Sequence, residues 1–326
     1  MSGHGERIFF LVERLKSLWR RGFVLSCVAL AWSQAVAGTP PEMPDFQLEN
    51  PAPGVYVHYG QQAEMTPANF GDVANLGFVI GARCVAVIDT GGTFAVGHAL
   101  RQAIRRVTPV PVCYVINTHV HPDHIFGNAA FSDDHAEFIG HAHLADAMRR
   151  RGPNYLNALR RELGDAAQLS AIIMPTRSIA LTEVLDLGGR VLSLRAWPTA
   201  HTDTDLTVFD QTSRTLWLGD LVFVGHVPVL DGNLRGFLAT LDELKTIRAD
   251  FAIPGHGRVL AWPAAIAPEQ RYLNGLLTDV RAAIKAKRTL TETLATVDGG
   301  REQWLLFDQF HRRNVTAAYA ELEWDD

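Results

Sequence analysis

Apolar and polar positions follow two rhythms along this chain. Between residues 55 and 88 the period is two: Val55-Tyr56-Val57-His58, then Leu76-Gly77-Phe78-Val79-Ile80 and Cys84-Val85-Ala86-Val87-Ile88. These runs read as strands, and the last two form a hairpin across Gly81-Ala82-Arg83, closed by Asp89-Thr90-Gly91-Gly92. Residues 96–106 switch to helical spacing, and residues 112–116 return to a buried strand. The same order recurs downstream, with strands at 191–194, 206–209, 215–218 and 251–254 and helices at 156–169 and 238–247. A long amphipathic helix follows at 268–287, and 290–320 reads as mostly helical. Alternating strands and helices in both halves predict an α/β protein with two sheets covered by helices. No short-period repeat interrupts the pattern.

Residues 1–37 do not belong to either rhythm. A basic stretch ends in Lys16, Arg20 and Arg21, the apolar run at 22–32 is too short to span a bilayer, and Ala35-Val36-Ala37 is a cleavage pattern. This reads as a signal peptide, so the mature chain starts at Gly38 in the periplasm with no stable membrane anchor. Arg20-Arg21-Gly22-Phe23-Val24-Leu25 resembles a twin-arginine signal, with Trp19 where Ser or Thr is usual; the general secretory route is the alternative. Pro-rich residues 38–53 read as an extended lead-in, 54–265 as the folded domain, and 266–326 as a C-terminal helical extension.

Composition narrows the classes. The chain has 326 residues, 47% hydrophobic and 20% charged, which is globular. Its net charge is −5, and the leader holds five Lys/Arg against two Asp/Glu, so the remainder is more acidic still. That excludes sequence-independent binding to nucleic acid or to an anionic membrane. Three cysteines exclude a disulfide-dense scaffold and a Cys-rich zinc ribbon. Cys27 leaves with the leader. Cys84 and Cys113 read either as two small buried hydrophobes or as a disulfide, and sequence leaves both open.

The histidines carry the chemistry. After the strand at 112–116 comes Asn117-Thr118-His119-Val120-His121-Pro122-Asp123-His124. In extended backbone His119 and His121 point the same way, and Pro122 forces a turn that brings Asp123 and His124 back beside them. Imidazoles and a carboxylate suit zinc. A surface histidine cluster or a helix cap at Asp123 would explain one His pair, but not four donors in six residues at a strand end.

His119-Val120-His121-Pro122-Asp123-His124 resembles the H-x-H-x-D-H signature of the metallo-β-lactamase-fold hydrolases. Ala200-His201-Thr202, Leu218-Gly219-Asp220-Leu221 and Pro254-Gly255-His256-Gly257 match the later motifs in order, and Val87-Ile88-Asp89-Thr90-Gly91 matches an upstream strand-end Asp. The resemblance implies an αββα sandwich with the site along one edge. It also implies two Zn²⁺ per chain, although manganese or iron would accept the same donors. His119, His121 and His201 would hold one metal, Asp123, His124 and His256 the other, and Asp220 would bridge them. Asp123 would also orient the metal-bound hydroxide as the catalytic residue. Lactamases of the family have Cys or Ser where Asp220 stands. The bridging Asp belongs to glyoxalase II-like thioesterases, lactonases and related hydrolases.

The expected activity is therefore hydrolysis of a small ester, thioester or lactone, with at most weak action on β-lactams. Two alternatives come from other classes: a mononuclear iron dioxygenase acting on persulfides or other sulfur species, and a non-catalytic metal-binding partner of a periplasmic redox system. The run Gly219–Gly232, taken with the export signal, resembles an exported subgroup that accompanies sulfur-oxidation (SoxH-like) or quinoprotein dehydrogenase systems. That implies periplasmic redox or sulfur-oxidation partners alongside a small-molecule substrate. Asp89, His226 and Asp231 are candidates for orienting ligands or meeting substrate. Met65 and Phe70 lie in a loop expected to overhang the site. His141 and His143 read as surface histidines, and Trp304, Phe307 and Phe310 read as core.

Overall fold

The structure is a computed structural model that describes Met43 and residues 46–324. The leader read at residues 1–37 lies outside the described residues, as do seven of the sixteen residues of the lead-in, which forms a strand near its end. That strand, β1 (Glu49–Ala52), opens a seven-stranded sheet with β2 (Val55–His58), β3 (Leu76–Ile80), β4 (Val85–Ile88), β5 (Val112–Ile116), β6 (Glu137–His141) and β7 (Arg177–Ile179), ordered as in the chain. The first four pair antiparallel and β4 to β7 pair parallel. The second sheet runs from β8 (Thr182–Asp186) through β9 (Val191–Ala196), β10 (Leu206–Asp210), β11 (Thr215–Phe223) and β12 (Phe251–His256) to β13 (Leu260–Ala261). Only β11 and β12 are parallel there.

The period of two sorts side chains into layers. In β4, Ala86 and Ile88 enter a core shared with Trp217 of β11 and Ile253 of β12, between the sheets. Val85 and Val87 face the other way, onto Val96, Leu100 and Ile104 of helix α1 (Phe94–Val107). In β11 the neighbours of Trp217, Leu216 and Leu218, face outward onto the remaining helices. Those helices are α4 (Leu234–Leu244), α5 (Ile266–Lys285) and α7 (Phe307–Leu322), while α2 (Pro122–Ile125) and α3 (Leu144–Leu163) pack with each other. The result is an αββα sandwich with a C-terminal helical appendage.

Several boundaries differ from the sequence reading. α3 begins at Leu144 rather than 156 and continues through Pro153. α4 begins at Leu234, where Asn233 caps it by accepting from Gly236 N. The tail is two helices: α6 (Leu290–Thr296), opened by a Thr289/Glu292 capping box, and α7, separated by Gly299 and Gly300 in left-handed conformation. β11 runs five residues beyond Leu218, to Phe223. β6 was not anticipated; it buries His141, whose Nδ1 accepts from His143 N, so only His143 is a surface residue. Cys84, just before β4, and Cys113 of β5 form a disulfide. Among the described residues no helix is long and apolar enough to cross a membrane.

Candidate metal centre

The site assembles where the parallel strands end. Beyond β5 the chain passes through His119 to His121, and Pro122 starts α2 at a position where a missing N–H costs nothing. The turn is pinned from below. Thr90 N and Oγ1 donate to His124 O at 3.0 and 3.2 Å, and the Asn117 and Asn128 side-chain amides donate to each other at 3.1 and 2.7 Å. From the second sheet come His201 in the β9–β10 loop, Asp220 within β11 and His256 at the end of β12. Two glycines permit this approach. A Cβ on Gly255 would collide with Asp220 Oδ1, and Gly219 has φ +51° with the Thr118 side chain against it.

Asp220 stands between two groups of donors. Its Oδ2 lies 3.6 Å from His119 Nε2 and 3.4 Å from His201 Nε2, and its Oδ1 lies 3.3 Å from His124 Nε2 and 3.4 Å from His256 Nε2. His119, His121, His201 and Asp220 form one set that could hold a metal ion; Asp123, His124 and His256 form another. Asp123 Oδ2 is 3.4 Å from His256 Nε2 and 3.5 Å from His124 Nε2.

Every histidine has its outward nitrogen engaged. His124 Nδ1 meets Asp89 Oδ2 at 2.8 Å, His201 Nδ1 meets Val229 O at 2.7 Å, His256 Nδ1 meets Val73 O at 2.8 Å, and His121 Nε2 meets Asp231 Oδ2 at 3.1 Å. These partners only accept, so each outward nitrogen carries a proton, and each ring in its neutral form turns a lone pair inward. His119 Nδ1 meets Thr118 Oγ1 at 3.0 Å, and that hydroxyl already donates to Asp89 Oδ2 at 2.7 Å. His119 Nδ1 must therefore donate, which leaves His119 Nε2 as an inward acceptor too.

This arrangement fits metal ions. His201 Nε2 and His121 Nδ1 face each other at 3.0 Å with their protons committed elsewhere, so the pair needs a positive charge between them. His119 Nε2, His124 Nε2 and Asp220 Oδ1 are buried with no hydrogen-bond partner, a costly state that coordination relieves. The protonation balance is equally strained without a cation. Burial alone would push Asp220 up, but His256, His124 and His119 hold its carboxyl well below the usual range. Burial would lower His256, yet Asp220 and Asp123 push it up to about 9. Burial holds His201 down at about 4 despite Asp220.

The remaining candidates stand around this cluster. Asp89, in left-handed backbone that Asp tolerates (φ 53°), receives Thr118 N at 2.8 Å as well as Thr118 Oγ1 and His124. Asp231 ties His121 to Arg151 of α3. His226 joins neither donor set. Its ring stacks on His256 at 5.1 Å and Phe223 at 5.3 Å, and its Nδ1 donates to Val227 O at 2.6 Å. Burial, reinforced by His256, holds it neutral with a pKa of about 4.

A cavity of about 360 Å³ lies over the cluster, with Met65, Tyr155, Phe223, His226, Phe310 and Arg313 among its walls. Met65 thus reaches the site, whereas Phe70 packs into the core of the first sheet. Phe307 is core and Trp304 packs against it, but Phe310 turns to the cavity, 5.3 Å from His226. Helical spacing shows which residues share a face of α7 and not where that face docks. The docking is done by Asn314, which donates to Pro228 O at 2.6 Å and accepts from Leu230 N at 2.9 Å, and by Glu321, which accepts from Leu234 N at 2.6 Å. Tyr155 and Arg313 carried no signal in the sequence.

A family model described as the metallo-beta-lactamase superfamily matches residues 70–256. Among solved structures, a metallo-beta-lactamase from Pontibacter korlensis superposes with a TM-score of 0.59 at 17% identity, over 71% of this chain and 99% of that one. A stereoselective inverting sec-alkylsulfatase from Pseudomonas sp. gives 0.63 at 15% identity, over 85% of this chain and 50% of that one. At these identities the two structures share a fold with this chain.

Proposed function

This chain belongs to the metallo-beta-lactamase superfamily, and from that premise we propose that it is a di-zinc hydrolase of a small ester, thioester or lactone. The observation that carries the reading is Asp220, one carboxylate oxygen beside each of two histidine sets. His119, His121 and His201 would hold one cation and Asp123, His124 and His256 the other, with Asp220 between. Two divalent cations held there would supply Lewis acidity to a carbonyl and a water activated near neutral pH. The chain's own residues do the rest. Asp123 faces the cavity and orients the attacking water through its carboxylate. Asp89 and Asp231 keep His124 and His121 in the donor tautomer. The apolar walls exclude bulk water and hold the acyl or leaving group. Neighbours named as a lactamase and an alkylsulfatase support a hydrolytic class without selecting the bond. A carboxylate at position 220, where lactamases have Cys or Ser, favours esters over β-lactams.

Elemental analysis of the purified chain is expected to find two zinc per chain, and a chromogenic ester or thioester should be turned over and lose turnover on chelation. One iron per chain with no ester turnover would overturn this reading in favour of the oxygenase. We also assign the mature protein to the periplasm, beside redox or sulfur-oxidation partners. The Cys84–Cys113 disulfide supports an oxidising compartment, and N-terminal sequencing of exported material should begin at Gly38.

A further inference from the structure

The metal cluster makes up one part of the cavity lining, and the rest of the lining has chemistry of its own. Phe310 and Arg313 sit one turn apart on α7 and both line it, with the Arg313 guanidinium 5.9 Å from the Phe310 ring centroid. Arg313 is exposed and has no carboxylate within 4.0 Å among the described residues, unlike Arg151 nearby, which Asp231 neutralises. Met65 and Tyr155 extend the apolar surface beside Phe310. Glu64 and Glu162 also line the cavity, and Glu162 is paired with Arg161 at 2.9 Å. An unpaired cation next to an aromatic and aliphatic surface selects a ligand that is apolar along its length and anionic at its end. Two acidic side chains on the same rim oppose a second negative charge.

We propose that Phe310 and Arg313 are the specificity-determining residues of the site, and that its substrates are esters or thioesters whose apolar, ring-bearing group ends in a single carboxylate. The proposal rests on the hydrolase reading only for the word substrate; the pocket's preference for an apolar monoanion is a binding property.

Two assays test it separately. In the first, the zinc-loaded chain is given 4-(carboxymethyl)phenyl acetate and 4-ethylphenyl acetate, which differ in the remote charge. Wild type should favour the acid in kcat/KM by about five- to tenfold, less than a buried charge-assisted hydrogen bond would give because Arg313 is exposed. Arg313→Ala should bring that ratio close to one and Arg313→Glu should invert it, while Arg312→Ala, one residue away, keeps it. In the second, calorimetry on the metal-free chain compares 4-ethylphenylacetate with 4-ethylphenylacetamide, and Arg313→Ala should weaken the acid selectively. A binding ratio that is the same in wild type and Arg313→Ala overturns the proposal, whether or not esters are hydrolysed. A ratio that collapses in Arg313→Ala while no ester is turned over upholds the pocket and refutes the hydrolase reading.

Discussion

The two walls of the cavity are built on opposite plans. The cluster wall is made of buried or half-buried side chains around both sheets, and each of its histidines is fixed by a hydrogen bond on its far side. His124 leans on Asp89, His201 on Val229 O and His256 on Val73 O. The second wall is made of half-buried or exposed side chains on a loop and two helices: Met65, Tyr155, Phe310 and Arg313. Of these, Tyr155 alone joins a polar network among the described residues, through Arg151. The difference teaches that the reaction and the choice of substrate are separable here. The first depends on donors preorganised to tenths of an ångström, the second on surfaces that tolerate change.

Substitution at Asp220 should break the first wall outright. Asp220→Ser removes the carboxylate shared by both donor sets, so metal content should fall towards one per chain. Activity should drop by about a thousandfold while circular dichroism is unchanged. Unchanged stoichiometry would mean Asp220 bears no metal.

Asp89→Asn probes the layer behind. The amide still fills the space but no longer fixes the His124 tautomer, so zinc affinity measured by chelator competition should weaken by about 10- to 100-fold. A smaller loss than Phe310→Ala causes would reverse the order of the two walls.

Proton release sharpens the contrast further. In the metal-free chain His256 titrates at about 9, raised by Asp220 and Asp123, so it carries a proton at neutral pH. Zinc must displace that proton. Apparent affinity should therefore rise with pH and level off near 9, by up to about tenfold per unit for each proton released. Calorimetry in buffers of different ionisation enthalpy measures the release directly; none at pH 7 would contradict the assignment of His256.

The smallest effect belongs to the second wall. Phe310→Ala should raise KM for aryl esters by about three- to tenfold, with metal content and kcat close to wild type. A large loss of kcat would show that α7 shapes the reacting centre as well.

Much of the first wall was legible in the chain because its information is local. His119, His121, Asp123 and His124 lie in one six-residue run at a strand end, and a period of two with a proline turn is enough to bring them together. Gly219 and Gly255 flank their motifs because backbone must pass close to the Thr118 and Asp220 side chains. The layered sandwich followed from the same alternation. Asp89 and Asp231 could be named as candidates, but their partners are His124, 35 residues away, and His121, 110 residues away.

The second wall was decided by tertiary structure. Phe310 has the spacing of a core residue and stays partly so. What turns it to the cavity is Asn314 bonding to Pro228 O and Leu230 N, together with Val227 N donating to Leu305 O at 3.0 Å, contacts spanning about 80 residues. β6 buries His141, which the sequence places at the surface, and β4 lying beside β5 brings Cys84 to Cys113. Periodicity records which face of an element is apolar, because that depends on backbone geometry alone. It does not record which other element covers that face, because that depends on packing between residues far apart in the chain.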